Sequence, residues 1–524
     1  MLIIILFILV LTSCGIEESP NNQAEAETIR LEGGDYGYPS PYAHYPRGPG
    51  GYKMNLIFDS LLERDKDGLI PWLAKDYEIS DDGREYLFSI REGVKWQDGE
   101  TLTAEDVKFS FEYNSYNPMV WSRIQADDIE NVEIKDDNQI LITVAETNAA
   151  LLYDLGRLRI IPKHIWEDVD NPREFTQSEA VIGTGPYRLD NYNQEHGTYR
   201  FVAFEDFWGA TQNLEAIEFI PVSDNIMSFE RGDIDLTRIG SDLLSRYQDN
   251  DEVEVVQRPA FWGYRLLFNQ TDNPELRDKK LRQAISYALD LEDIINRDAR
   301  GAGLTGSPGV LPPDHIMYNP DVKQYNHNLV QAEKLLSEIG YKEENEVGIR
   351  YNEAGKKLNF TISVNNDEIR LAEILKEQLA ELGIGLEVQS AERSTHDVRI
   401  KNDEYQLAIY GHGAWGEDAD YLRSRFMASN DESDFIPDIS SAGYENHNLN
   451  QLLEEQRLEL NQESRQEILF AIQDILAEDV AEIPIYYTAG YTAYNSDKYN
   501  DWIFMFDHHS LTHNKLSYLK RSEK

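Results

Sequence analysis

The chain has 524 residues, 41% of them hydrophobic, which is enough for more than one core and, at ordinary domain size, roughly two to four domains. Its 95 acidic side chains against 49 basic ones leave a formal charge of −46, which excludes nucleic acid and anionic membrane as partners, because phosphates would be repelled. The single cysteine, Cys14, precedes the body of the chain, so the body holds neither a disulfide nor a thiolate metal site.

A solvated acidic surface suited to a salty medium is the plain reading of the charge; recruitment of a cationic ligand is the sharper one. The 30 Tyr, 19 Phe and 8 Trp supply rings enough to line a large cavity as well as to fill the cores. Residues 1–12, MLIIILFILVLT, are apolar but too few to cross a bilayer, and they suit a signal-peptide core. The run ends at Leu11-Thr12-Ser13-Cys14 and Gly15, which resembles the bacterial lipobox, although no Lys or Arg precedes it. That resemblance implies cleavage before Cys14 and lipidation of its sulfur, two or more acyl chains giving a stable anchor. Residues 15–28 are polar and acidic without an apolar period, and read as a flexible tether.

Ile29 to Arg47 begins the globular part, and GGDYGYPSPYAHYPRGPGG, from Gly33 to Gly51, is too rich in Gly and Pro for a regular element and is a loop. Met54 to Leu62 reads as a helix with Leu56, Phe58 and Leu61 inward, and Gly68 to Tyr77 as a turn carrying Pro71-Trp72-Leu73-Ala74. Tyr86, Phe88 and Ile90 alternate as a half-buried strand. Asp98-Gly99 marks a tight turn, and Thr103, with Asp106 in the first turn, caps the helix that follows. Residues 112–175 alternate strands with helical or loop segments and end in Pro162-Lys163-His164-Ile165-Trp166, whose histidine reads as structural. Gly183-Thr184-Gly185-Pro186-Tyr187 lacks the Gly-Lys-Ser/Thr of a phosphate loop. Phe207-Trp208-Gly209 and Phe229-x-x-Gly232-x-Ile234-Asp235 follow, Gly232 suiting a helix end.

The run Arg91-x-Gly93-Val94-x-Trp96-x-Asp98-Gly99-x-x-Leu102-Thr103-Ala104-Glu105-Asp106-Val107-x-Phe109-Ser110 resembles the signature of the peptide/nickel class, family 5, of extracellular solute-binding proteins of ABC importers. The motifs named above fall in that family's order. The resemblance implies an α/β, two-lobed, periplasmic-binding-protein-like fold with a hinge, its first lobe enlarged by an inserted α/β subdomain. It implies a first lobe built from residues 29–70, 179–257 and 488–524, an insert at 71–178, a second lobe at 258–487, and crossings near 258–262 and 486–490. The loop after the first strand then borders the ligand cleft, which makes Tyr36, Tyr38, Tyr42, His44 and Tyr45 pocket-liners. Trp121 lies in a loop within reach of the cleft, and Phe261 and Trp262 sit just past the first crossing.

In the second half, Val253 to Asn269 reads as two strands around Pro259, and residues 274–295 as a helix with Leu281, Ile285 and Leu289 on its buried stripe. Leu358–Val364, Ile369–Leu382 and Gly385–Val388 give a β-α-β order, and Asn450 to Glu478 a helix pair. Ala481 to Tyr487 is the strand that returns to the first lobe. The strand Tyr405–Ile409 leads into Tyr410-Gly411-His412-Gly413-Ala414-Trp415-Gly416-Glu417-Asp418-Ala419-Asp420, a Gly-rich loop at the end of a strand, where α/β proteins place ligands. In peptide-binding relatives the matching loop reads Gly-Trp-x-x-Asp-x-x-Asp-Pro, and its first Asp accepts the peptide ammonium. Aligned without gaps, Asp418 and Asp420 match the later acids, and Trp415 stands where that first Asp should be. Glu417 takes the role only if the loop is remodelled. His412, with Trp415, suits a metal-chelate relative, its neutral imidazole serving as ligand. His508, His509 and His513 read as surface residues.

The implied function is capture of a solute, a peptide first, between the lobes and its delivery to an ABC permease by a monomeric lipoprotein. It works on the outer face of the cell membrane, without a cofactor. A metal-chelate or oligosaccharide ligand is the alternative within the family, and a permease-independent lipoprotein sensor or chaperone the alternative outside it. No Ser/His/Asp, His-Glu-x-x-His or Walker motif points to an enzyme.

Overall fold

The computed structural model describes residues 28–44, 50–66, 68–248, 250–258, 260, 262–413, 418–427, 440–503 and 514–520. The expectations for Cys14 and its leader, Tyr45, Phe261, Trp415, Glu417, His508, His509 and His513 lie outside the described residues, as does the His412 side chain.

The strand Glu85–Ile90 turns Tyr86, Phe88 and Ile90 into the core, each no more than 1% exposed. Gly99 takes a φ of +97°, and the Asp98 carboxylate accepts from Glu100 N at 3.1 Å, which makes the tight turn. Thr103 N then donates to Asp106 Oδ2 at 2.8 Å, closing the start of the helix Ala104–Tyr116. His164 Nε2 meets Asp98 Oδ2 at 2.8 Å, so this histidine braces the turn.

That hairpin belongs to an antiparallel sheet in the order Ala74–Ile79, Glu85–Ile90, Gln139–Val144, Ile129–Asp136. It has no core of its own. One cluster of buried side chains runs from Leu31, Phe201 and Phe219 through Phe58 to Phe88 and Ile142. The other end of that cluster underlies a four-stranded sheet, Thr28–Glu32, Ala216–Ile220, Thr198–Ala203, Tyr187–Asn193. Together these form the first lobe. The second lobe is a mixed six-stranded sheet in the order Gly303–Thr305, Ile483–Thr488, Trp262–Phe268, Leu407–His412, Asn359–Asn365, Gly385–Ala391, packed by helices such as Lys279–Ala288 and Ile369–Glu381 over a separate core.

A three-stranded antiparallel sheet, Leu236–Ile239, Tyr491–Asn495, Val253–Gln257, packs on the first lobe through Leu236 and Tyr494. Two of its strands continue into adjacent strands of the second lobe, so the chain crosses between Arg258 and Trp262 and again between Thr488 and Tyr491. The crossings are bonded to each other through Arg258 N to Gly490 O at 2.8 Å. The lobes also touch away from this hinge. Ala149 N donates to Arg457 O at 2.7 Å and Arg457 Nη1 pairs with Glu146 at 3.2 Å, while Arg300 pairs with Asp242 at 3.1 Å.

Two predicted helices are shorter than their patterns. The helix Gly50–Ile57 stops before Leu61 because the Ile57 carbonyl accepts from Gly185 N at 2.7 Å; a Cβ on Gly183 would lie 2.0 Å from the same oxygen. Residues 274–295 form a helical turn, Pro274–Arg277, then Lys279–Ala288 and Leu291–Asp298. The break falls at Leu289 because the Asp290 carboxylate accepts from Asp293 N at 3.0 Å and starts a new helix. Leu281, Ile285 and Leu289 are buried all the same.

Several motifs of the first lobe meet at one buried carboxylate. The Asp59 carboxylate is fully buried and accepts from Trp72 Nε1 at 2.7 Å, Thr184 Oγ1 at 2.9 Å, Trp208 Nε1 at 3.0 Å and Lys515 Nζ at 2.6 Å. Lys515 also pairs with Glu63 at 2.8 Å. Burial works against charge on Glu63, but the Lys515 ammonium and the Arg157 guanidinium outweigh it and hold its pKa down at about 2. Among the described residues no helix is long and apolar enough to cross a membrane.

Candidate functional site

The loop after the first strand and the loop after the helix Ala104–Tyr116 border an open cavity of about 800 Å³, lined among others by Asp35, Tyr36, Tyr42, His44, Trp121 and Arg173. Tyr42 is 4% exposed; its ring packs on Tyr113 and Trp166 with centroids 5.7 and 5.0 Å away, and its hydroxyl has no hydrogen-bond partner. Trp121, 41% exposed, sits 6.3 Å from the His44 ring on a backbone with φ +70°, a conformation that is strained for a bulky residue.

His44 is the most informative member. It is 3% exposed, and neither ring nitrogen makes a hydrogen bond of good geometry. Burial, with the Arg159 charge, lowers its pKa to about 4 against a small opposing contribution from the Tyr36 backbone, so the ring is neutral at pH 7. Buried polar atoms in folded chains normally have partners, and an orphan in a cavity wall marks a place where something else supplies one.

Behind Tyr36 lies Lys53, 1% exposed, with its ammonium 4.8 Å from the Tyr36 ring centroid, 5.1 Å from Tyr199 and 4.4 Å from Phe219. Burial pulls its pKa down to about 7. Three aromatic faces therefore take the place of a counter-ion. No sequence motif marks Lys53, Arg173 or Asp35; the rings around Lys53 come from Tyr36, Tyr199 and Phe219, distant along the chain.

On the second lobe, Trp262 opens its strand opposite Thr488 and packs edge-on to Tyr264, centroids 6.4 Å apart. Both rings cover Gly411, where a Cβ would meet Trp262 Nε1 at 2.8 Å and Tyr264 at 2.9 Å. Tyr410 pairs with Arg265, on the opposite face of the strand from Trp262 and Tyr264. It packs with the cluster of Ile400 and Tyr405, its ring 5.3 Å from the Arg265 guanidinium. It is half-buried against a second-lobe core cluster, on the strand face opposite Trp262.

Asp418, matched above to one of the later acids of the family loop, is held within the second lobe. Arg465 grips both carboxylate oxygens, at 2.7 and 2.5 Å. Burial disfavours its charge, but the Arg465 bonds prevail and lower its pKa. Asp420 is likewise held by Arg423, at 2.8 and 2.9 Å. The acids of this loop stabilise the second lobe, and no lone oxygen of Asp418 is left to accept a ligand ammonium. Among the described residues no three His, Cys, Asp or Glu converge to hold a metal ion.

The family model "Bacterial extracellular solute-binding proteins, family 5 Middle" matches residues 68–434. Heme-binding protein A of Haemophilus influenzae is 26% identical, covering 83% of this chain and 82% of its own. Dipeptide-binding protein DppE of Bacillus subtilis is 24% identical with the same coverages, 83% and 82%. The crystal structure of NikZ from Campylobacter jejuni in complex with Ni(L-His) superposes with a TM-score of 0.74 at 24% identity, over 94% of this chain and 99% of that one.

Proposed function

Since the chain belongs to the family-5 extracellular solute-binding proteins, which bind and do not catalyse, we infer that it captures a solute, a peptide first, between its two lobes and hands it to an ABC permease. The observation that carries this reading is the cavity in the first-lobe wall beside a two-stranded hinge. Closure of the second lobe over that wall excludes water from the solute, and the closed form is what a permease would recognise. Cys14 anchors the protein as a monomeric lipoprotein on the outer face of the cell membrane, residues 15–28 giving it reach.

A dipeptide-binding relative supports a peptide ligand. The loss of Asp418 to Arg465 argues that a peptide ammonium is not held there. A metal chelate is the second reading, and His44 favours it: a buried neutral imidazole with two unpartnered nitrogens is a good donor to a transition metal already held in a small chelator. Native mass spectrometry with elemental analysis, on protein purified without refolding, separates the two. A family of peptide masses supports the first; stoichiometric nickel or iron with an organic chelator replaces it with the second. Absence of any cleft solute, together with no thermal shift across peptide and chelate panels, contradicts both.

A further inference from the structure

Arg258 lies at the first crossing between the lobes. Its Nε is buried and makes no hydrogen bond, and among the described residues its guanidinium has no carboxylate partner. The side chain packs flat on the second crossing: a Cβ added to Gly490 would lie 2.0 Å from Arg258 Nη2. The neighbouring charge is of the same sign, since Arg238, on the strand Leu236–Ile239, acts on it repulsively. Burial and that repulsion bring its pKa down to about 10. In a chain of −46, an arginine left among like charges is conspicuous, because carboxylates are available everywhere else. A charge in such a place ordinarily has a counter-charge.

The Arg238 charge is felt at Tyr36, which lines the cavity and covers Lys53 from the other side. No carboxylate acts on Arg258 among the causes of its shift. Glu32 acts on Tyr36, and Asp35 Oδ1 is engaged by Gly37 N at 2.9 Å and Tyr192 Oη at 2.6 Å.

We propose that Arg258 forms an anion site at the hinge that takes a carboxylate of the captured solute. The proposal rests on the solute-binding reading above and names the chemistry of one end of the ligand. Because Arg258 touches both crossings, a carboxylate there also ties the hinge in the closed form. A charge-assisted, bidentate contact of this kind is worth about ten- to a hundredfold in affinity.

The test uses the full chain, freed of bound solute, and its Arg258→Gln and Arg258→Lys variants. Sodium citrate is titrated against sodium chloride at equal ionic strength while the melting midpoint is followed. The wild type rises saturably with citrate, Arg258→Lys rises at higher concentration, and Arg258→Gln does not rise although its midpoint without citrate is equal to or above that of the wild type. The same proteins are then offered a mixed peptide pool with free C-termini and the matching amidated pool; the wild type prefers the free acids about tenfold or more, and Arg258→Gln loses the preference. An equal citrate response in wild type and Arg258→Gln overturns the proposal, as does a citrate-free Arg258→Gln that melts well below the wild type, which assigns Arg258 a purely structural role. If neither pool binds, the peptide reading fails, and the citrate titration still decides the anion site.

Discussion

Two buried polar regions of the first lobe are treated in opposite ways. Around Asp59 every charge is answered: two indoles, a hydroxyl and an ammonium converge on one carboxylate, and Lys515 is shared with Glu63. Around the cavity and hinge the reverse holds: His44 has two unpartnered nitrogens, Arg258 a buried unpaired Nε, and Lys53 rings in place of an acid. Both regions are assembled from distant segments, so the difference is not one of folding complexity. A scaffold satisfies its buried groups internally, because an orphan there only destabilises; a binding wall leaves orphans that a ligand completes. A third place belongs with the second kind. Asp154, on the inserted subdomain, is pushed up to about 7 by burial, with Arg123 opposing and Asp418, Asp128 and Asp420 adding repulsion. Of these acids Asp128 is on the same subdomain, and Asp418 and Asp420 are on the other lobe.

The comparison breaks most directly at Asp59. Asp59→Ala strands a buried lysine and two indoles, and is expected to destabilise the protein by about 3–5 kcal/mol in denaturant unfolding. A loss below about 1 kcal/mol would mean the hub is not a unit. Acid sharpens the same point. The Glu63 pKa is held at about 2, below its unfolded value of 4.5, so its contribution is complete above pH 4.5 and lost as pH falls toward 2. That loss amounts to about 3 kcal/mol and is absent from a Glu63→Gln variant.

Asp154 carries the opposite sign. Its pKa is raised from 3.8 to about 7, so the folded form gives up stability as pH rises from about 4 to 7 and is flat beyond. Asp154→Asn is expected to be more stable than wild type at pH 8 by about 1–2 kcal/mol and equal to it at pH 4, read from melting at the two values. The smallest stability effect is expected at His44. Replacing an unpartnered buried imidazole by an apolar side chain, His44→Leu, leaves stability within about 1 kcal/mol of wild type while solute affinity, measured by titration calorimetry, falls about tenfold or more. A large destabilisation with affinity intact would move His44 to the scaffold side of the comparison.

The local features were legible in the sequence. The Asp98-Gly99 turn, the Thr103 cap and the alternation of Tyr86, Phe88 and Ile90 depend on neighbours within a few residues, and they stand where their chemistry puts them. The aromatic loop from Tyr36 to His44 is visible as a Gly- and Pro-rich segment; Tyr36, Tyr42 and His44 of it line a pocket, and Tyr38 does not. What was not legible depends on partners far along the chain. Asp418 looks like a ligand acid until Arg465 closes on it, and Tyr410 looks like a cleft ring until its register with Arg265 puts it on the other face. Arg258 is harder still. Its significance is the lack of a partner, and no sequence pattern records which charges will fail to meet.

Hydrogen–deuterium exchange, with the solute that accompanies the purified protein first removed and then restored, tests the contrast between wall and scaffold. The account predicts that restoring the solute protects segments 35–44, 118–124, 256–264 and 488–492, while 57–63, 184–187 and 514–519, the segments around Asp59, exchange as before. Protection spread evenly over both sets, or confined to the Asp59 segments, would contradict it.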